Sequence, residues 1–300
     1  MHALTSELRA REAPTSANAP ALPADIALLP PAARVAAALL RALAGAGMLW
    51  VGTAMLLGQG ALRTNTLAQI RTFAALVLAP EAAAWCVLLA FAARASIENG
   101  RLVMTRGARR LELSLRDIVA VEPWRLPIPA SGAWLRLATG ERWRYGLARI
   151  DPAALARALV AGGAALQTSA PSRTATYAQA RLAYRRGPLD RPLVKFVVFP
   201  LVMTIPAFRL HQHIAYGSAF GEYLTFGLAA YLRTFALWWA AWSIGVVLFA
   251  AALRATIEAA TLLAVLLQPG QAADARRWLE RLGLAALYLG LPGWLLLRAL

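Results

Sequence analysis

Apolar residues run along this chain in long uncharged blocks, and one stretch between them alternates apolar with polar positions instead. The blocks approach the roughly 20 residues of helix that cross a bilayer. The first covers about Ala42 to Gly58, after Arg34 and Arg41, and the second about Thr72 to Ala93, ending at Arg94. A third begins near Leu193 and is uncharged from Phe196 to Phe208. To cross, it must continue to about Ala215 and carry Arg209, His211, Gln212 and His213 into the far side of the membrane. The fourth covers about Phe226 to Leu253, and Ala255 to Gln268 extends it beyond the bilayer. Leu282 to Leu297 is short and either spans or lies at the interface. The pattern predicts an α-helical membrane bundle of four to five transmembrane helices with a small β-rich domain inserted in it.

The alternating stretch runs from Ala95 to about Gly163. Leu111, Leu113 and Leu115 alternate with Arg110, Glu112 and Ser114, and Trp143, Tyr145 and Leu147 with Arg142, Arg144 and Gly146. Asn99-Gly100 predicts a hairpin turn, since both residue types tolerate positive φ, and Thr139-Gly140 predicts a second. Asp151-Pro152 starts a helix that ends before Gly162-Gly163, because Asp caps free amides and Pro suits the first turn. The order is about six strands and then one helix. The segment Ile97-Glu-Asn-Gly-Arg-Leu-Val-Met104, the run Arg110 to Val121 and the helix from Asp151 together resemble the bacterial PH-like domains attached to membrane spans. That resemblance implies a partly open barrel plugged by a helix, a binding or assembly module without chemistry of its own. Trp124 to Pro129 departs from the pattern, because its two prolines end or edge a strand.

Five segments are therefore expected: a disordered cytoplasmic tail at 1–31, two spans in 32–94, the PH-like domain at 95–165, a basic linker at 166–192, and the remaining spans in 193–300. Composition agrees with a membrane protein: 59% of the 300 residues are hydrophobic and only 15% charged. The net charge of +16 comes almost wholly from arginine, Lys195 being the one lysine. Arginine recurs through 94–195, whereas 59–71 holds only Arg63 and Arg71 and 210–225 holds no basic residue of either kind. This bias puts the β-rich insert in the cytoplasm of a bacterial inner-membrane protein, and it explains the charge without nucleic acid. Cys86, the only cysteine, lies in a span and forms no intrachain disulfide.

Ionisable residues at membrane depth are the candidates for function. Glu81, Arg209, His211, His213 and Arg233 fall at similar depths on three spans, and packing would gather them into one outward-facing polar cluster with Glu81 neutralising an arginine. The plainer reading is a structural ion pair with interhelical hydrogen bonds. Arg209, His213 and Tyr216 share one helical stripe. Tyr216, Glu222 and Tyr223 belong to a glycine-bearing periplasmic loop that either recognises a ligand, with Glu222 paired to Arg209, or forms an aromatic belt. Arg106, Arg109 and Arg110 either grip anionic headgroups or form a solvated face. His211 and His213 point ~200° apart on a helix, so no metal site is expected, and no cofactor motif is present. The leading expectation is a non-enzymatic scaffold or accessory subunit of a membrane complex, in contact with membrane lipids and with a membrane-protein partner or further copies of itself. The alternatives are a transporter or channel-like component using the polar cluster, and a haem- or metal-dependent membrane enzyme.

Overall fold

A computed structural model describes residues 25–58, 62, 65–167, 173–184 and 187–293. In chain order its main elements are β1 (Asp25–Leu29), α1 (Pro31–Leu56), α2 (Thr66–Ala90), β2 (Ala92–Glu98), β3 (Arg101–Arg106), β4 (Arg109–Ser114), β5 (Ile118–Pro123), β6 (Gly132–Leu137), β7 (Gly146–Ala148), α3 (Pro152–Ala161), α4 (Arg173–Leu182), α5 (Val194–Tyr216), α6 (Gly221–Phe226), α7 (Leu228–Leu267) and α8 (Ala272–Ala285). The chain divides into two compact units. One is β-rich and takes the described residues up to Pro31 and those from Phe91 to 167; the other is helical and takes the rest.

The β-rich unit is a seven-stranded antiparallel sheet in the order β4-β3-β2-β1-β7-β6-β5. The Asn99-Gly100 turn forms as the sequence predicts, with φ of 50° and 71°, and closes the β2–β3 hairpin at Glu98↔Arg101. Asp151 caps α3 by accepting from the Ala153 amide at 2.8 Å, and α3 lays Leu155 and Leu159 on a core of Leu102, Met104, Leu115, Ile118 and Leu135. The strand expected through Trp143 and Tyr145 is reduced to a bridge at Arg142 and the three residues of β7.

The tail expected to be disordered at 1–31 is corrected in part, while residues 1–24 lie outside the described residues. Residues 25–29 form β1, the central strand, hydrogen-bonded to β2 on one side and β7 on the other. Ile26, Ala27, Leu28 and Leu29 are all buried. A strand buried on both faces reads as a short apolar run without alternation, so periodicity does not reveal it. Pro30-Pro31 then ends the strand and opens α1, where a first-turn proline loses no helical hydrogen bond.

In the helical unit α1, α2, α5 and α7 are long and apolar enough to cross a membrane. They carry large apolar side chains outward, including Leu39, Leu49, Trp50, Trp85 and Val202, as helices facing lipid do. Helix α5 follows the expected bounds, and α7, at 40 residues, is ~60 Å long. The expected span at Leu282–Leu297 is not among these four helices; its described part is the end of α8 and a following π turn at Ala286–Gly290. The linker expected at 166–192 contains helix α4.

Prolines shape three of these helices in the same way. Pro80, Pro200 and Pro292 each follow a five-residue π turn, at Ala74–Leu78, Val194–Val198 and Ala286–Gly290. The residue before each proline donates to the carbonyl five residues back, as Ala79 does to Ala74. A proline ring has no N–H and crowds the carbonyl four residues back; the wider π turn accommodates both defects. At the first of these turns α1 comes close: a Cβ on Gly47 would collide with the Leu76 carbonyl, whereas one on Gly45 would meet nothing within 4 Å. Gly47→Ala should therefore destabilise by about 1–3 kcal/mol through overpacking, while Gly45→Ala should be neutral or stabilising through helix propensity. Thermal melts of the two variants in detergent, followed by tryptophan fluorescence, should shift in opposite directions or at least differ by several degrees.

Candidate functional site

The residues that the sequence singles out at membrane depth do not converge. Glu81 pairs with Arg41 of α1 at 2.8 Å, not with Arg209 or Arg233. Depth along the chain set the expectation, but the face that Glu81 presents is the one packed on α1. Arg209, His213, Tyr216 and Arg233 are exposed, and Arg209 lies over the Phe220 ring at 5.7 Å. The stripe of Arg209, His213 and Tyr216 is thus real, but it points away from the packed face. His211 turns the other way, its ring 4.8 Å from that of Trp238. Among the described residues no group of three or more His, Cys, Asp or Glu is placed to hold a metal.

Glu222 does not pair with Arg209 either. It is 5% exposed and accepts from Gln212 Nε2 and from Thr234 Oγ1, both at 2.6 Å, while its own amide donates to Gln212 Oε1 at 3.2 Å. The carboxylate thereby ties the α5–α6 connection to α7. Gln212 occupies the buried stripe Pro200, Thr204, Phe208, Gln212, four residues apart each time. A polar residue ending an apolar stripe at that spacing was the available signal in the sequence. Tyr216 stacks edge-on with Phe226 at 6.2 Å, and Tyr223 is exposed.

In the β-rich unit Arg106 lies over the Phe91 ring at 4.3 Å, and Arg109 is exposed at the start of β4. Arg110 is committed to Glu98 at 3.0 Å and Glu112 at 2.8 Å, and Arg101 bonds Glu112 from the other side at 2.8 Å. The Arg101 and Arg110 guanidiniums hold the Glu112 carboxyl below its ordinary range. Arg110 is therefore part of a cross-strand charge ladder, which reduces what it can offer a headgroup.

The densest polar constellation lies where sequence reasoning named no candidate: between α4, α8 and the end of α7. Arg276 of α8 is completely buried. Its guanidinium bonds Glu258 through both terminal nitrogens at 2.9 Å, Thr261 Oγ1 at 3.0 Å and Glu280 through Nε at 2.9 Å. Arg254 bridges Glu258 and Glu280 at 2.8 and 2.6 Å. From α4, the Tyr177 hydroxyl donates to Glu258 at 2.6 Å and Arg181 stands 3.4 Å away. Burial and then the Glu258 carboxylate push the Tyr177 hydroxyl up to about 12. With every donor of Arg276 answered, this arrangement is a clamp for three helices. Its four members on α7 and α8 form two pairs at i, i+4, Arg254–Glu258 and Arg276–Glu280, which in sequence look like ordinary surface pairs.

No family model, curated protein or solved structure matches this chain.

Removing one member of a buried, hydrogen-bonded ion pair costs about 3–5 kcal/mol, because its partner is left uncompensated. Arg276→Met should lose stability on that scale and free α4 to proteolysis. Arg277→Met, one residue on and exposed, should cost no more than about 1 kcal/mol. Chemical unfolding of the two variants, with limited proteolysis between Arg173 and Leu182, measures the contrast.

Proposed function

We propose that the chain is a non-enzymatic polytopic protein of the bacterial inner membrane, a scaffold or accessory subunit whose β-rich unit is a cytoplasmic PH-like module for binding and assembly. The observation that carries this reading is the place of β1. Strands β1 and β2 are neighbours in one sheet, yet α1 and α2, both of membrane length, lie between them in sequence. A helical hairpin that starts and ends at one sheet leaves and re-enters the same side of a membrane. The arginine content of 94–195 supports the cytoplasm as that side.

The module supports a binding role through its form. Two meanders, β1 to β4 and β5 to β7, join through β1–β7, and β4 and β5 are left as edges. A core covered by α3 with two open edges corresponds to a partly open barrel plugged by a helix. Several of its charged groups are paired with one another, as in the ladder of Glu98, Arg101, Arg110 and Glu112. The exposed apolar faces of the four long helices supply surface for lipids and for a membrane-protein partner or a second copy.

Orientation is tested by cysteine labelling in a Cys86→Ala background. Ala138→Cys, in the β5–β7 region, should react with an impermeant maleimide only after the membrane is opened. Ala215→Cys, at the far end of α5, should react from outside intact spheroplasts. The reverse pattern would overturn the cytoplasmic assignment. The assembly role is tested by gentle purification from native membranes: a stoichiometric companion, or a defined homo-oligomer, should be recovered and should be lost when exposed apolar residues of the interface are changed. Recovery of monomer alone under conditions that preserve other membrane complexes would remove the scaffold reading.

A further inference from the structure

Helix α8 uses arginine in opposite ways on its two faces. On the inner face Arg276 is completely buried and bonded to Glu258, Thr261 and Glu280. On the outer face Arg277 and Arg281, one turn apart, are both exposed. Arg277 pairs with the exposed Asp274 of the same helix, and such a surface pair holds little energy in water. The Arg281 guanidinium lies over the Trp278 ring at 5.6 Å. Stacking of this kind uses the flat face of a guanidinium and leaves the N–H groups at its edge able to donate.

The outer face changes in one direction along the helix. Asp274, Arg277, Trp278 and Arg281 come first; Leu282, Ala285 and Leu289 follow, and all seven are exposed. They stand three or four residues apart and form one stripe. No charge occurs from Leu282 to Gly293. Two contacts fix the depth at which the change falls. Glu280 accepts from Arg254 at 2.6 Å, and Arg254 is the first charge after Thr234–Leu253 of α7, about the 20 residues a bilayer core requires. Tyr288 packs edge-on against Phe199 of α5 with ring centroids 4.8 Å apart, and Phe199 belongs to the uncharged run that follows Lys195. The charged part of α8 is thus level with the charged ends of α7 and α5, and the part beyond Leu282 is level with their uncharged stretches. Leu289 stands ~12 Å further along the helix than Arg281. Guanidinium, then indole, then aliphatic carbon is the order met in passing from water through headgroups to hydrocarbon.

We propose that the outer face of α8 is a binding surface for anionic phospholipid. Arg277 and Arg281 donate to lipid phosphates, the Trp278 ring lies at the level of the headgroups, and Leu282, Ala285 and Leu289 rest against acyl chains. The planar fork of a guanidinium matches phosphate oxygens. Two arginines against one aspartate leave the headgroup end of the stripe positive, so an anionic lipid is preferred to a zwitterionic one. A protein partner has no cause to meet a face graded from charge to hydrocarbon at the boundary that α5 and α7 mark, whereas a bilayer has. The proposal rests on the membrane placement of the helical unit and not on the assembly role of the β-rich unit, and its test is separate from the purification that decides that role.

The test uses the full-length chain with Cys86→Ala, reconstituted in nanodiscs of phosphatidylcholine and phosphatidylglycerol. Asp274→Cys, Ala285→Cys and Leu289→Cys, made singly, carry nitroxide labels whose collisions with oxygen and with a water-soluble nickel chelate are measured. The chelate should reach the label at 274, and oxygen those at 285 and 289. Equal access of the chelate to all three would put the face in water and overturn the proposal. Exclusion of both reagents from 285 and 289 would mean that protein covers the face, and would overturn it too. Headgroup selection is read by native mass spectrometry of the two lipids, with identical acyl chains, retained in competition. Arg277→Gln and Arg281→Gln should each lower the preference for phosphatidylglycerol about fivefold, and high salt should lower it in the unaltered chain. A preference unchanged in the double variant would overturn the role of the two arginines. The labelling pattern is read with both arginines in place, so it decides where the face lies even if that variant fails to fold.

Discussion

A guanidinium removed from water must have all its donors met, and Arg276 imposes that demand on the helical unit. Its partners come from two turns of α7 and from its own helix, and Tyr177 and Arg181 on α4 complete the shell around Glu258. An ion pair in such a place is a poor source of net stability, since its attraction is largely offset by lost hydration. What it contributes is registry. Sliding α8 along α7 by one turn would leave a buried charge unanswered, so only one alignment of these helices is tolerated. The close contact of Gly283 on Ile257, where a Cβ would stand 2.8 Å from Ile257 Cδ1, belongs to the same alignment.

A cavity of about 320 Å³ lies at the charged end of α7, lined from α1, α5, α7 and α8, and its walls follow from that alignment. Arg254 and Glu280 appear both in the clamp and in the cavity wall. At the other end of the helical unit the polar groups are arranged differently: Glu222, Gln212 and Thr234 close a buried hydrogen-bonded knot that holds no arginine, while Arg209, His213 and Arg233 stay outside it. The two ends thus use charge differently: at one it is buried and locks helices together, at the other it is exposed.

The long apolar helices are legible in the sequence as uncharged runs of membrane length, and the β-rich insert through its period of two. Helix α5 begins within a residue of its expected start, the Asn99-Gly100 hairpin and the Asp151 cap form where their chemistry places them, and His211 and His213 do point apart. Three features escaped. Strand β1 has no period because both its faces are buried. The Arg276 clamp joins residues roughly a hundred positions apart, from Tyr177 to Glu280, and each member looks like a surface residue in its own helix. Glu81 meets Arg41 and not the expected Arg209 or Arg233, because the choice depends on which helix face packs against which, and depth along the chain does not reveal that.

The position of β1 also sets a timetable. Its partners in the sheet are β2 and β7, and β7 ends about 120 residues further along the chain, roughly 6–24 s of synthesis at 5–20 residues per second. Through that interval the first two long helices emerge and must be handed to the membrane while Ile26 and Leu28 have no sheet to enter. Non-local pairing of this kind is slow even once the strands are available. The nascent chain therefore makes its membrane hairpin before its sheet, and β1 waits unpaired on one side until β2 is made and on the other until β7 is.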